Sequence, residues 1–434
     1  MLKRVKIQGY KSLVDVEVHL QPLSVLFGPN ASGKSNFLDA LQLLSRIATE
    51  RNLKYAFDPP YRGTPLESFT FGLSGINDLL TQEKSSFSME VDVELSQTTV
   101  DAVNRQIRLL RRLGAKGDAA SKDTDQTSPL DNPSLVNRRN LRYYISIETT
   151  PKTGTLIVAG EYLAVLNAKG EITEEPLLLE RDYGFLKFGE KSYQFFEELD
   201  YSTLSIPNFF SSFLFFQYLL AMREEIASWL FFYLEPRERM RLPTSVKEVR
   251  HIGLMGEELA AFLNTLRELD EPQFKAVEKA LHMIIPSITG IDVNVNNVGE
   301  VELRLMQDQT PIPARVLSEG TLRILGLLAL GGAKEPATLL GFEEPENGIH
   351  PDRLDLVASL LTNLTSGDTQ VIVTTHSPTL LDLLPEESLY VFGLSDGNTT
   401  ITPFSTLKKT KHRKSKLSED LTVSERLLRG DFHA

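Results

Sequence analysis

The sequence predicts an α/β protein: a mixed sheet flanked by helices, interrupted by a large α+β insertion. Three observations predict it. The apolar run Ser24-Val25-Leu26-Phe27 leads through a glycine-bearing stretch into a segment whose Phe37, Leu38, Leu41, Leu44 and Ala48 recur at helical spacing. From Ser318 to Phe392 the pattern alternates helix, buried strand, helix, buried strand, helix, strand, the pattern of parallel α/β construction. Between these two regions lies a long stretch of different character.

The elements follow in order. Residues 3–27 read as three strands, and in one of them Val14, Val16, Val18 and Leu20 alternate with Asp15, Glu17 and His19, a half-buried antiparallel pattern. Phe87, Met89, Val91, Val93 and Leu95 alternate again. Val103 to Leu113 is basic and amphipathic. Gly114 to Pro133 is rich in Gly, Ser, Thr, Asp and Pro and reads as a flexible loop. Arg142 to Phe188 reads as several short strands with turns at Pro151–Gly154 and Asn167–Gly170. Phe209 to Tyr233 reads as an apolar helix, and residues 257–284 as two helices split at Asp270-Glu271-Pro272. Strand patterning returns at Ile291–Val295 and Val301–Leu305. The expected organisation is a split head (1–97 and 245–405), an insertion (98–244, with a disordered loop near 114–133) and a basic C-terminal tail (406–434).

Gly28-Pro29-Asn30-Ala31-Ser32-Gly33-Lys34-Ser35 fits G-x-x-x-x-G-K-[ST] without deviation. A strand, a glycine loop and a helix N-terminus together form a phosphate cradle: Gly28 and Gly33 let the backbone N–H groups approach, and the helix dipole adds positive potential. Lys34 would neutralise the β/γ-phosphates and Ser35 would ligate Mg²⁺. An ordinary turn would leave Lys34 at a helix N-terminus, where the dipole disfavours a cation.

Further motifs lie in the C-terminal third. Thr338 to Glu344 is an apolar strand ending in two acids, of which Glu343 would hold Mg²⁺ and Glu344 would orient or deprotonate the attacking water. Val371 to Ser377 is a second buried strand, ending in His376, at the strand edge where ligands of open α/β sheets bind. Ser318 and Gly320 open an apolar helix, another anion-binding N-terminus.

In this order the motifs resemble the ATP-binding-cassette type of P-loop ATPase. Ile7-Gln8-Gly9-Tyr10-Lys11-Ser12-Leu13, Gly28–Asn36, Leu317–Arg323, Glu343–Pro351 and Thr374–Pro378 narrow the resemblance to the RecF/SMC/OLD-like branch, over about residues 1–50 and 240–395. The resemblance implies an ABC-type head and a homodimer or higher oligomer bridged by ATP. It implies that Gly28, Asn30, Ser32, Gly33, Lys34, Ser35 and Asn36 line the nucleotide, that Ser35 and Glu343 hold Mg²⁺, and that Glu344 and His376 serve catalysis. Ser318 and Gly320 would reach the γ-phosphate bound to the other subunit. Lys11 matches a nucleotide-contacting basic residue of relatives and reads equally as a solvated turn lysine. Ala31 stands where relatives often have Gly, and Glu343 where Asp is commoner. Gln82 is a weak candidate for the Q-loop glutamine. No Toprim nuclease cluster follows the last strand, so any cleavage of DNA would fall to a partner.

Composition sets the outer bounds. The 434 residues carry a formal net charge of −12, which argues against general DNA coating. Zero cysteines exclude disulfides and thiol chemistry. No apolar stretch reaches the roughly 20 residues of a membrane span, and Met1-Leu2-Lys3-Arg4 opens no leader pattern. The expectation is a cytoplasmic protein with no membrane contact. Two basic segments, Arg105–Lys116 with Arg138, Arg139 and Arg142, and Lys408–Lys416, are candidates for nucleic acid or for partner docking, and a solvated face is the commoner use of such runs. The reading is a nucleotide-gated ATPase acting in DNA repair or anti-phage defence through DNA or an effector nuclease or toxin. Its rivals are an ATP-binding scaffold with little turnover and a transporter ATPase subunit.

Overall fold

The computed structural model describes all residues except 73, 118–134, 174–176, 183–184, 195–198, 206–215, 332–336, 412–421 and 430–434, and only the backbone path of 110–117, 408–411 and 428. The chain forms two compact units. The first comprises Met1–Leu20, Ala31–Trp229 and Leu394–Ile401, the second Gln21–Asn30, Leu230–Gly393 and Thr402–Ala434.

The first unit is built on an antiparallel eight-stranded sheet in the order Leu13–His19, Leu2–Tyr10, Ser85–Glu94, Asn140–Thr150, Thr155–Val165, Leu179–Asp182, Phe185–Phe188, Lys191–Gln194. Period-two alternation sets the register: Phe87, Met89, Val91 and Val93 stand opposite Ile147, Ile145, Tyr143 and Leu141, and all eight are buried. The helix Lys34–Thr49 belongs to this unit and buries Phe37, Leu38, Leu41, Leu44, Ile47 and Ala48, partly against the helix Phe216–Ala227.

A buried carboxylate anchors the far side of the sheet. Glu161 accepts hydrogen bonds from the hydroxyls of Tyr143 (2.7 Å), Ser202 (2.7 Å) and Thr203 (2.7 Å). The Thr203 amide also donates to it, and the Arg181 guanidinium stands 3.5 Å away. A buried charge is tolerated only when so many donors replace water.

The second unit is layered around a parallel sheet. Leu339–Glu343, Gln370–Thr375, Leu23–Phe27 and Leu389–Ser395 run side by side. Three of these strands read as continuous apolar runs because both of their faces are buried. The helices Leu259–Leu269 and Glu271–Ile284 meet at Asp270, whose side chain accepts from the Gln273 amide at 3.2 Å and caps the second of them. A small antiparallel sheet (Thr244–Ser245, Glu300–Gln307, Gly290–Val295, with Thr310–Pro313 on Glu300–Gln307) completes the unit.

Several sequence expectations change. The helix Gln97–Gly117 runs past Gly114, where a loop was expected, and most of the expected loop, 118–133, lies outside the described residues. Two of the strands expected to be short, Asn140–Thr150 and Thr155–Val165, have 11 residues each. Of the expected helix 209–233, residues 209–215 lie outside the described residues, Phe216–Ala227 is helical, and Trp229–Phe232 is a strand. The insertion boundary at 97/98 differs from the units, since Ser85–Glu94 pairs directly with Asn140–Thr150 in one sheet. Nor is 406–434 a plain tail: the helix Val423–Leu428 starts with a Thr422/Glu425 capping box, and Val423 enters the core of the second unit. Among the described residues no helix is long and apolar enough to cross a membrane.

Glu161→Ala should lower stability by about 3–5 kcal/mol, because the buried Arg181 would lose its carboxylate, keeping only the Tyr201 and Leu199 carbonyls, and three buried hydroxyls would lose their acceptor. Urea unfolding followed by circular dichroism measures this, and an unchanged midpoint would mean that the cluster does not hold the sheet.

Candidate functional site

The glycine stretch passes from the second unit to the first between Asn30 and Ala31, and each part has its own geometry.

In the first unit, Gly33 precedes the helix Lys34–Thr49 with φ of 95°, in the left-handed region. A Cβ there would lie 2.1 Å from the Thr399 Oγ1 and 2.9 Å from the Ser12 Oγ, so space and backbone both demand glycine. The helix has no side-chain cap and no acid in its first turn, which leaves its positive end open to an anion. Lys34 is buried and Ser35 half-buried. The Ser32 Oγ is buried without a hydrogen-bond partner, an orphan that a phosphate oxygen would satisfy. Asn36 instead donates to the Ser12 Oγ at 2.9 Å, and Ser12 bonds Thr399 at 2.8 Å. Its side chain ties the loop down.

Lys11, left open between two uses by the sequence, is no solvated turn residue. Its Nζ lies 2.8 Å from the Asp39 Oδ2 and 5.4 and 5.2 Å from the ring centres of Tyr10 and Tyr61. Asp39, on the helix Lys34–Thr49, also accepts from the Arg62 guanidinium at 3.0 Å. Gln82 is exposed after the short helix Ile76–Leu80.

In the second unit, the register Glu343↔Thr374 and Thr375↔Phe27 aligns the C-terminal ends of three parallel strands. Gly28, Glu344 and His376 therefore leave the sheet along one edge, the edge where α/β sheets bind ligands. Gly28 has φ of 148°, and a Cβ on it would stand 2.1 Å from the Phe392 carbonyl oxygen. Asn30 is exposed, and Glu343 is half-buried.

Glu344 is held in the left-handed region at φ of 47°, and its amide donates to the Thr374 carbonyl at 3.0 Å. Its Oε1 is 3.5 Å from the His376 Nε2, and its Oε2 accepts from the Asn347 side chain. Arg323 in turn donates to the Asn347 and Leu234 carbonyls. Glu346 is buried, and its Oε1 accepts from the Thr375 hydroxyl (2.6 Å) and the His376 amide (3.2 Å). Burial pushes the Glu346 carboxyl above its ordinary range, while these two donors pull it back.

Ser318 caps its own helix, with its Oγ accepting from the Thr321 amide at 3.1 Å. Gly320 is glycine for a reason within the unit: a Cβ there would stand 2.2 Å from the Gly348 carbonyl oxygen. The helix Glu319–Gly331 thus seats directly on the turn after Glu344.

Sequence reasoning singled out Gly28, Lys34, Glu344 and His376 through motif and strand context. It missed the supporting roles of Asp39, Arg323, Glu346 and Asn347, since nothing in a run of polar residues tells a buried acid from a solvated one. Two of the basic residues offered for nucleic acid are committed elsewhere. Arg142 is bidentate to Asp92 at 2.6 and 2.7 Å, and Arg139 donates to the Leu95 carbonyl at 2.8 Å. Arg105 and Arg108 are exposed on the helix Gln97–Gly117. Of the C-terminal run, Lys408, Lys409 and Lys411 are described by backbone alone, and 412–416 lie outside the described residues.

A family model described as "AAA ATPase domain" matches residues 1–162, and one described as "AAA domain, putative AbiEii toxin, Type IV TA system" matches residues 180–382. The chain is similar to the chromosome partition protein Smc of Desulfitobacterium hafniense (strain Y51), 40% identical over 77 residues, which are 17% of this chain and 6% of that protein. The match thus spans a small fraction of that relative. Among solved structures, the fold is similar to that of an SmcHead crystallised with the C-winged helix domain of ScpA. The TM-score is 0.54 at 11% identity, over 92% of this chain and 97% of that one.

Gly320→Ala should destabilise the protein by about 1–3 kcal/mol through the forced contact with Gly348. Gly331→Ala, in the same helix, would place its Cβ 3.6 Å from Leu364, an ordinary contact, and should be neutral or stabilising. Thermal melts of the two variants compare them, and equal melting temperatures would contradict the packing argument.

Proposed function

For a chain that is an ABC-type P-loop ATPase of the SMC/RecF-like kind, we propose that it binds ATP with Mg²⁺, hydrolyses it, and uses the cycle to open and close a dimer. The observation that carries this reading is the shared strand edge in the second unit, where the start of the phosphate loop, Glu344 and His376 leave neighbouring parallel strands.

The roles follow from chemistry. Gly28, Asn30, Ser32 and Gly33 offer backbone and hydroxyl donors to phosphate oxygens, and Lys34 neutralises their charge. Among the described residues no group of three or more His, Asp or Glu side chains is arranged to hold a metal by itself. Ser35 and Glu343 would share Mg²⁺ with the phosphates, as that hard cation prefers. When bound, Mg²⁺ neutralises charge that develops on the transferring phosphoryl group. Glu344 takes the proton of the attacking water or orients it, and His376 beside it bonds the γ-phosphate. Asn36 serves as a structural tie beside the loop, and Lys11 with Arg62 brings positive charge to the Lys34–Thr49 helix.

Ser318 and Gly320 act in trans, completing the site of a second copy. Hydrolysis would then release the dimer and pass the state to DNA or to an effector such as a nuclease or toxin, in DNA repair or anti-phage defence. The matched toxin-system model is in keeping with the effector arm. The Glu343–Pro351 motif and the long stretch between the two nucleotide-binding segments favour this reading over a transporter subunit.

Lys34→Ala should abolish ATP binding in a titration with a labelled analogue, and equal affinity would sink the site. Glu344→Gln should bind ATP but turn it over about 10²–10⁴ times more slowly. If wild type binds ATP and turns over no faster than this variant, the protein is a nucleotide-binding scaffold.

Ser318→Arg should block hydrolysis while leaving nucleotide binding to one copy intact. Mixed with Lys34→Ala, it should regain part of the activity, since one mixed dimer holds one site with both lesions and one with neither. Mixed dimers that form without regaining activity would refute completion in trans.

A further inference from the structure

Three glutamates follow the acid-bearing strand Leu339–Glu343 or end it, and the proposed chemistry uses only Glu343 and Glu344. Glu346 has a different environment. It is 8% exposed, whereas Glu344 is half-buried. Its Oε1 accepts from the Thr375 hydroxyl and the His376 amide, while its Oε2 is buried with no hydrogen-bond partner. An unsatisfied carboxylate oxygen in the interior is costly, so a residue that keeps one serves a purpose that packing alone does not.

The bonds show the purpose. Thr375 ends the strand Gln370–Thr375, and its Oγ1 accepts from the Ser377 amide at 3.0 Å while donating to Glu346. The backbone on both sides of His376 is thereby pinned to one carboxylate carried by the turn after Glu344. That turn is fixed independently: Arg323 holds the Asn347 carbonyl, and the Asn347 side chain holds the Glu344 Oε2. Glu344 and His376 come from different strands, yet Glu346 ties the turn of the first to the end of the second. The His376 Nε2 stands 3.5 Å from the Glu344 Oε1.

We infer that Glu346 is a positioning residue for ATP hydrolysis, a crosslink from the Glu344 turn to the His376 backbone that sets the distance between the two side chains serving catalysis. It does not touch the nucleotide. The inference rests on the ATPase reading above for its kinetic consequence, and on geometry alone for its structural one.

The test compares wild type, Glu346→Ala, Glu346→Gln and Thr375→Val by steady-state ATPase kinetics, by analogue binding and by amide hydrogen exchange at His376. Glu346→Ala should lower kcat by about 10- to 100-fold, the equivalent of one or two lost charge-assisted hydrogen bonds. Its affinity for the ATP analogue should stay within about twofold of wild type, and the His376 amide should exchange faster. Glu346→Gln keeps a carbonyl acceptor for both donors and should restore most of kcat and of the protection. Thr375→Val, which removes one donor, should fall between. Wild-type kcat in Glu346→Ala overturns the inference. So does a loss of analogue binding as large as the loss of kcat, or a His376 amide whose exchange is unchanged. Should Glu346→Ala fail to fold, Thr375→Val decides, and wild-type turnover with wild-type protection in that variant overturns the inference. Should wild type itself show no turnover, the ATPase reading has failed, and exchange at His376 alone decides whether Glu346 holds it.

Discussion

Three parallel strands of the second unit, Leu339–Glu343, Gln370–Thr375 and Leu23–Phe27, are hydrogen-bonded in a register that ends them together. Everything proposed for the site depends on that register. Neighbouring strands lie about 4.8 Å apart, so side chains that leave adjacent strand ends meet without long loops to place them. A slip of one residue would turn Thr374 and Thr375 to opposite faces and carry His376 away from Glu344. The register is secured by burial on both faces: Val371, Ile372 and Val373 are fully enclosed, as are Val25 and Phe27. The apolar residues of the strands thus position charged groups that they never touch.

Much of this was legible in the sequence because it is local. A short apolar run, a glycine loop and a helical repeat are contiguous, and so are an apolar run and its terminal acid or histidine. What could not be read comes from pairing between distant segments. Lys11 gains its meaning from Asp39 and Arg62. Glu346 gains its meaning from Thr375 and His376, and Gly320 from the Gly348 carbonyl. The glycine and serine at the start of the helix Glu319–Gly331 read in the sequence as anion-binding residues. In the structure they are also residues of packing and capping, one admitting a carbonyl and the other closing its own helix. The division into head, insertion and tail failed to match the units for a related reason. Antiparallel sheets extend by adding hairpins, so a strand from the expected insertion joined a strand from the expected head with no change of pattern.

The basic residues teach a similar lesson about charge. Arg142 and Arg139 lie close in sequence to exposed arginines, but strand pairing sets Arg142 across from Asp92 and Arg139 beside the Leu95 carbonyl. Arg4 joins the same surface through Glu17 and Glu90. On this sheet face arginines and carboxylates neutralise one another, so a count of arginines along the chain overstates the charge available to a phosphate backbone. The exposed Arg105 and Arg108 are of another kind, standing on the polar side of a helix whose Val103 and Ile107 are buried.

The backbone of Glu344, at φ of 47°, is a conformation that glycine adopts freely and that costs a residue with a Cβ about 1–2 kcal/mol. A chain shaped for robustness alone would do better with glycine at this position, and it would then carry no carboxylate beside His376. Durability and the placing of a carboxylate beside His376 therefore compete at a single residue. The fold tolerates the strain because the Glu344 amide is tied to Thr374 and its side chain to Asn347. The same rigidity that holds the carboxylate in place is what keeps the peptide from relaxing.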